Sequence, residues 1–275
     1  AARLLCRGAD VVVHAAAALP ISGSRRTIRS VNVEGTASIL AAAAENGVQR
    51  VVFISSAVVL PQPIEAYGEA KAEAERLCRD FADRGLEVTI LRPQAFVGPE
   101  RLGVFGILFR WIAEGRRIYT VGQGSNRYQL LDVDDLVEAI LLASQQPGAG
   151  EAFALGTREF GTVAEDLRAL IDHAGSRSVL TPLPAPPTRA LLRALHLARL
   201  SPLGEWHYRT ADRDCFVDIA AAERSLGWSP RFSNREALAR AYDWYVSSRQ
   251  PQPGVGPTHR TAWNEKALAV LRRLS

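Results

Sequence analysis

Methionine is absent from all 275 residues, position 1 included, and of the 33 basic residues only Lys71 and Lys266 are lysine, leaving 31 arginines. A first residue other than Met, followed by Ala1-Ala2-Arg3-Leu4-Leu5 and then Gly8, reads as the end of a helix already under way, and predicts that an amino-terminal segment has been cut off. The three cysteines, Cys6, Cys78 and Cys215, are odd in number, far apart and free of C-x-x-C spacing. That excludes a disulfide framework, leaves them as small buried hydrophobes, and suits a cytoplasmic protein. No apolar run reaches the ~18 residues a membrane span needs, and no signal peptide opens the chain. The net charge of +4 comes from scattered arginine without a basic, aromatic stripe, so no nucleic-acid partner is expected. No metal site is expected either.

What the chain does keep is a lysine at position 71, four residues after a tyrosine, in Tyr67-Gly68-Glu69-Ala70-Lys71. A compact ammonium can share a pocket with a hydroxyl where the wide guanidinium fork cannot. If 65–84 is a helix, the two side chains lie on one face, and the ammonium favours the ionised phenol. Bringing a phenol from a pKa of ~10 to ~7 takes about 3 units, or roughly 4 kcal/mol. Upstream, Val51-Val52-Phe53-Ile54 reads as a buried strand that delivers Ser55-Ser56 to its carboxyl end, where open α/β sheets build their sites. Ser56, Tyr67 and Lys71 then form a hydroxyl, a base and a tuning cation.

The rest of the chain supplies a frame for that trio. Residues 9–17 read as a buried parallel strand ending in the small residues Ala15, Ala16 and Ala17, an end that lets a ligand approach closely. A helix over 30–46, a strand over 50–54, the 65–84 helix and a strand over 87–91 follow. The β-α-β-α-β order implies an α/β protein with a doubly wound parallel sheet. Further strands are predicted near 117–121, 128–132 and 152–155, and helices over 103–114, 134–146, 162–174, 188–199, 219–226 and 235–248. Thr162 and Glu165 read as a capping box. Residues 1–150 are assigned to a Rossmann-like catalytic domain, 151–250 to a smaller mixed α/β substrate-binding part, and 251–275 to a linker and terminal helix.

With these residues in place, the chain resembles the extended short-chain dehydrogenase/reductase superfamily, and within it the NAD-dependent epimerase/dehydratase group acting on nucleotide sugars. Seven motifs in register carry the resemblance over about residues 1–248: Val13-His14-Ala15-Ala16-Ala17, Asn32-Val33-Glu34-Gly35-Thr36, Val52 to Ser56, Tyr67 to Lys71, Leu91-Arg92-Pro93 through Gly98-Pro99, Val133-Asp134-Asp135-Leu136, and Leu226-Gly227-Trp228-Ser229-Pro230. The resemblance implies NAD or NADP as cofactor and a small-molecule substrate. It makes Tyr67 the acid/base, Lys71 its tuning cation and a ribose ligand, and Ser56 the group that holds the reacting oxygen. Asn32, Ala15 to Ala17, Ser55 and Pro93 would line the cofactor. Arg127 and Arg209 would grip the substrate diphosphate. The 30–46 and 65–84 helices, rich in Ala, are compatible with a homodimer.

Three departures qualify the resemblance. The family's opening strand and G-x-x-G-x-x-G turn have no match, so roughly 60 residues are expected to be missing and the chain as given is expected to bind cofactor poorly. Only ten residues separate Ser56 from Tyr67, a short stretch for this family, and Leu60 replaces its usual aromatic. Ala57-Val58 stand where a dehydratase carries its Asp-Glu pair, which ranks an epimerase or simple dehydrogenase above a dehydratase. Two other readings stay open. One is a reductase of a hydrophobic alcohol or ketone, with Ala57 to Leu60 and Phe105, Phe109 and Trp111 able to line a pocket, although residues of this kind are more often core. The other is an inactive dinucleotide-binding member.

Overall fold

Three β-branched runs become parallel strands, and the Ala-rich stretches between them become the crossover helices that parallel pairing requires. A computed structural model describes residues 2–19, 24–60, 65–198, 200–201, 203, 205–248, 267–269 and 272. In chain order the elements are α1 (Ala2–Cys6), β1 (Val11–His14), α2 (Arg25–Arg29), α3 (Gly35–Glu45), β2 (Arg50–Ile54), α4 (Ala66–Ala82), β3 (Glu87–Pro93), β4 (Phe96–Val97), α5 (Phe105–Ala113) and β5 (Ile118–Val121). They continue with β6 (Leu131–Asp132), α6 (Val133–Gln145), β7 (Ala149–Leu155), α7 (Val163–His173), β8 (Leu180–Leu183), α8 (Ala185–Leu197), α9 (Glu205–Thr210), α10 (Ala220–Leu226) and α11 (Asn234–Ser247). The expected linker at 251–257 and most of the expected helix at 263–274 lie outside the described residues.

These elements fall into two compact units: one within residues 1–94, 134–156 and 217–229, the other within 95–133, 157–216 and 230–275. The first holds a four-stranded sheet in the order β1-β2-β3-β7. Every pair is parallel, with Val12 opposite Val51, Phe53 opposite Ile90 and Leu91 opposite Phe153, as the β-α-β-α-β order predicts. Leu40, Val51, Phe53, Cys78, Val88 and Ile90 form one buried cluster between sheet and helices. Gly148 makes the turn into β7 fit: a Cβ there would come 2.2 Å from Thr89 Oγ1 and 2.7 Å from Val88 O. Trp228 closes this unit, 1% exposed, its indole N–H donating to Asp135 O at 2.9 Å.

Two sequence expectations need correction in this unit. β1 is not fully buried: it pairs with β2 alone among the described residues, so its other edge is open and Val13 is 46% exposed. The 30–46 helix is not one regular helix. It starts earlier, at α2, capped by Ser24, and passes through a π-helical turn at Ser30–Glu34 before α3. The Gly35 N–H reaches back five residues to Ser30 O, and the Thr36 hydroxyl donates to Asn32 O at 2.7 Å. Such a turn inserts an extra residue and re-aims side chains, and π-turns recur at functional sites.

The second unit is built around Phe109, Trp111, Ile112, Leu170, Leu238 and Tyr242. Phe109 is fully enclosed and Trp111 is 6% exposed, so both are core residues rather than pocket lining. Two short parallel pairs, β4 with β6 and β5 with β8, lie beside this core. The strand expected over 128–132 is realised only as Leu131–Asp132. Capping boxes open α7, from Thr162 and Glu165 as the sequence predicts, and α11, from Ser233 and Glu236.

Candidate functional site

Parallel pairing brings the carboxyl ends of β1, β2 and β3 to one edge of the first unit, and the residues that follow each strand gather there. Ser55 and Ser56 follow β2. Ser55 is 4% exposed; its amide donates to Leu91 O at 2.7 Å and its hydroxyl donates to Glu75 Oε1 at 2.6 Å. Ser56 is half-buried and starts a 3-10 turn at Ala57–Val59, where its Oγ accepts from the Val58 N–H at 3.3 Å. That bond uses a lone pair and leaves the Ser56 proton for another acceptor.

Helix α4 carries Tyr67 in its first turn and Lys71 one turn on. Lys71 is 2% exposed. Its Nζ donates to Ile54 O at 2.7 Å, lies 4.8 Å from the centre of the Phe53 ring and 6.0 Å from that of Tyr67. An ammonium has three donors, and this one spends one of them within the described chain. A buried cation with spare donors is costly unless a ligand's oxygens take them. Burial pushes Lys71 down to about 8, with the Glu75 carboxylate acting against it. It therefore carries its charge at neutral pH.

The loop after β1 is fixed from the π-helical turn. The Asn32 carboxamide, 1% exposed, clamps Ala18 at both ends, accepting from its N–H at 2.7 Å and donating to its carbonyl at 3.0 Å. Ala15 and Ala16 are exposed, Ala17 is half-buried, and Pro93 is buried at the end of β3. Val13, His14, Ala15 and Ala16 share with residues of α1 and α3, Leu5 and Ile39 among them, in lining an open cleft of about 1080 Å³, whose lining does not include Ser56, Tyr67 or Lys71. Asn32 thus acts on that cleft through the loop it holds, its own amide being occupied.

The sequence reading passed over two members of this group. His14 Nε2 lies 3.0 Å from Thr36 Oγ1. The Thr36 proton is already given to Asn32 O, so His14 must be the donor, which fixes its neutral tautomer as Nε2–H. Burial and the nearby Lys71 charge push His14 down to about 4. The other is Glu75, 2% exposed, which accepts from Ser55, from Arg92 Nε and Nη2 at 2.8 and 2.5 Å, and from Arg79 at 3.1 Å. Its place four residues after Lys71, on the Tyr67 face of the helix, was the available signal.

The two arginines expected to bind substrate stand in the second unit. Arg127 is exposed, with its guanidinium 4.4 Å from the Phe160 ring centre and 5.4 Å from that of Phe216. Its backbone is pinned, N–H to Asp214 Oδ1 at 2.8 Å and carbonyl to the Cys215 N–H at 2.8 Å. Arg209 is exposed in the last turn of α9.

Residues 2–156 match the sequence profile described as the NAD dependent epimerase/dehydratase family. Among curated proteins, the uncharacterized protein y4nG of Sinorhizobium fredii is 34% identical over 98% of this chain and 72% of its own length. The 3 beta-hydroxysteroid dehydrogenase/Delta 5→4-isomerase of Mycobacterium tuberculosis is 26% identical over 93% of this chain and 78% of that protein. The UDP-glucose 4-epimerase of Vibrio cholerae is 28% identical over 88% and 78%. Among solved structures, MoeE5 in complex with UDP-glucuronic acid and NAD superposes with a TM-score of 0.71 at 26% identity, covering 90% of this chain and 82% of that one. No helix among the described residues is long and apolar enough to cross a membrane.

Proposed function

The chain belongs to the NAD-dependent epimerase/dehydratase family, and from that premise we propose that it acts on a hydroxyl of a nucleotide sugar as an epimerase or dehydrogenase, with Tyr67 as acid/base. A bound NAD or NADP supplies the hydride acceptor and donor. Tyr67 takes the proton of the reacting hydroxyl and returns it. Lys71 keeps a positive charge one helical turn from the phenol and offers its two spare N–H donors to ribose hydroxyls. Ser56 donates its free proton to the reacting oxygen. Asn32 holds the 15–19 loop in place for the cofactor, and the small side chains of Ala15 and Ala16 leave the cleft open beside it.

The observation that carries this reading is the buried Lys71 ammonium, with one donor spent on Ile54 O and the rest directed to no partner among the described residues. Arg127 supports a diphosphate-bearing substrate: a guanidinium flanked by two phenyl rings is stiffened for bidentate phosphate binding while remaining exposed. Arg209 is assigned to the same substrate. The test is Tyr67→Phe in the protein carrying the Gly-rich amino-terminal segment its family opens with. Turnover should fall by about 10²-fold or more while dinucleotide affinity changes little. Loss of both, or of neither, would reject the assignment.

A second reading, a reductase or dehydrogenase of a hydrophobic alcohol or ketone, is favoured by the hydroxysteroid dehydrogenase relative and by the apolar Ala57 to Leu60 segment, where Leu60 is 36% exposed. Net consumption of NADH or NADPH with a sterol-like substrate would favour it over an epimerase, which recycles its cofactor.

A further inference from the structure

Tyr67, Lys71 and Glu75 follow one another at four-residue intervals on α4, and the third has no part in the chemistry described so far. A carboxylate 2% exposed would be prohibitive without partners. Glu75 has three: the Ser55 hydroxyl at the end of β2, the Arg92 guanidinium in β3, gripped at both Nε and Nη2, and Arg79 one turn along its own helix. We propose that Glu75 is the positioning residue of this site: its buried carboxylate ties α4 to the ends of β2 and β3 and keeps a negative charge beside Lys71. The proposal rests on the reading of Lys71 as the cation that tunes Tyr67.

The geometric part follows from the bonds. Ser55 is held from two sides, its amide on Leu91 O and its hydroxyl on Glu75, and the adjacent carbonyl, Ile54 O, is the one that receives Lys71 Nζ. Glu75 therefore sets the height of α4 along β2. It also fixes the direction in which Ser56 leaves the strand.

The electrostatic part follows from which anions exist. Groups that act on Lys71 come from several elements: His14 from β1, the Phe53 ring and Ile54 O from β2, and Tyr67, Glu75 and Cys78 from α4. Arg79 and Arg92 reach it through Glu75. Burial pushes the Cys78 thiol up to about 12, so it is neutral wherever Lys71 titrates. Burial also holds His14 neutral above about pH 4. Glu75, held low by Arg92, Ser55 and Arg79 against its burial, is the anion in place. Without it, three cations would share this part of the first unit.

The two lysines make a direct test available. In protein labelled with [ε-¹³C]lysine, Lys71 and Lys266 give two signals, and Lys71→Arg identifies which is which. In the unaltered chain Lys71 should titrate near pH 8. Glu75→Gln should move that midpoint to lower pH by about 1 unit. Arg79→Gln, a change at a partly exposed position that removes a cation, should move it to higher pH. Ser55→Ala keeps the charge and should leave it within about 0.3 unit.

An unmoved midpoint in Glu75→Gln, or a Ser55→Ala shift as large as that of Glu75→Gln, would overturn the proposal. Should Glu75→Gln not fold, Arg79→Gln decides, and an unchanged midpoint there overturns it. The titration needs neither substrate nor turnover. A failed Tyr67→Phe assay therefore leaves this result readable by itself.

Discussion

Acid should destabilise this protein through His14 before most carboxylates are protonated. The ring is 7% exposed, donates to Thr36 and stands 5.6 Å from the Phe53 ring centre. Burial first, and the Lys71 charge second, lower it from 6.5 to about 4. The folded state therefore binds fewer protons than the unfolded chain between those values. The stabilisation is complete above pH 6.5 and is lost as pH falls through 4. Integrating the linkage between the two values gives a loss of about 2 kcal/mol at pH 5 and about 3 kcal/mol at pH 4, relative to pH 7. These are upper figures, because His14 also borders the open cleft and water there offsets part of the burial.

The assay is urea unfolding at pH 7, 5 and 4, on the unaltered chain and on His14→Gln. Glutamine can still donate to Thr36 but does not titrate, so the carboxylates common to both cancel in the difference. The unaltered chain should lose about 2 kcal/mol more than the variant by pH 5. Equal losses in the two proteins would refute the argument.

Other outcomes follow from the same contacts. Arg127→Ala should weaken nucleotide-sugar binding at least tenfold by calorimetry, since a charge-assisted pair is lost, while an exposed position leaves thermal stability nearly unchanged. Gly148→Ala should cost about 1–3 kcal/mol in denaturant unfolding, because the added methyl meets Thr89 and the Val88 carbonyl at well under contact distance. Trp228→Ala should cost about 3–5 kcal/mol by the same measurement, through the cavity it leaves and the lost bond to Asp135 O.

Periodicity and punctuation made much of the fold legible. The β-branched runs at 11–13 and 50–54, the Ala-rich helices between, and the glycines at 8, 47 and 85 give the parallel order directly, and all three glycines have positive φ. What escaped depends on neighbours that no local pattern announces. The openness of β1 is a matter of what pairs with its other edge. Val13 looks as buried in the sequence as Val51, yet among the described residues only Val51 has a strand on each side. The π-turn at Ser30–Glu34 comes from hydrogen-bond competition by Thr36 and from the Gly35 amide, which helical periodicity does not encode.

At the site, Tyr67 and Lys71 stood out because lysine is so scarce. Ser55 was expected to line the cofactor, and the bond its hydroxyl gives to Glu75 was not expected. Glu75 itself resembled any helical acid among several in 65–75 until its burial and its two arginines were seen. Arg92 read as the end of a strand, and its role as a clamp on α4 appears only in three dimensions.

The central claim is that the Tyr67–Lys71 pair works on a nucleotide-linked hydroxyl beside a nicotinamide dinucleotide. Calorimetric titration of NAD and NADP, followed by UDP- and dTDP-linked sugars, into the protein carrying the Gly-rich amino-terminal segment its family opens with, and into the Arg127→Ala variant of that protein, tests it most directly. The account predicts dinucleotide binding in both proteins and a nucleotide-sugar signal that disappears in the variant. Dinucleotide binding with no nucleotide-sugar signal in the unaltered protein would contradict the substrate assignment, and no dinucleotide binding would contradict the site itself.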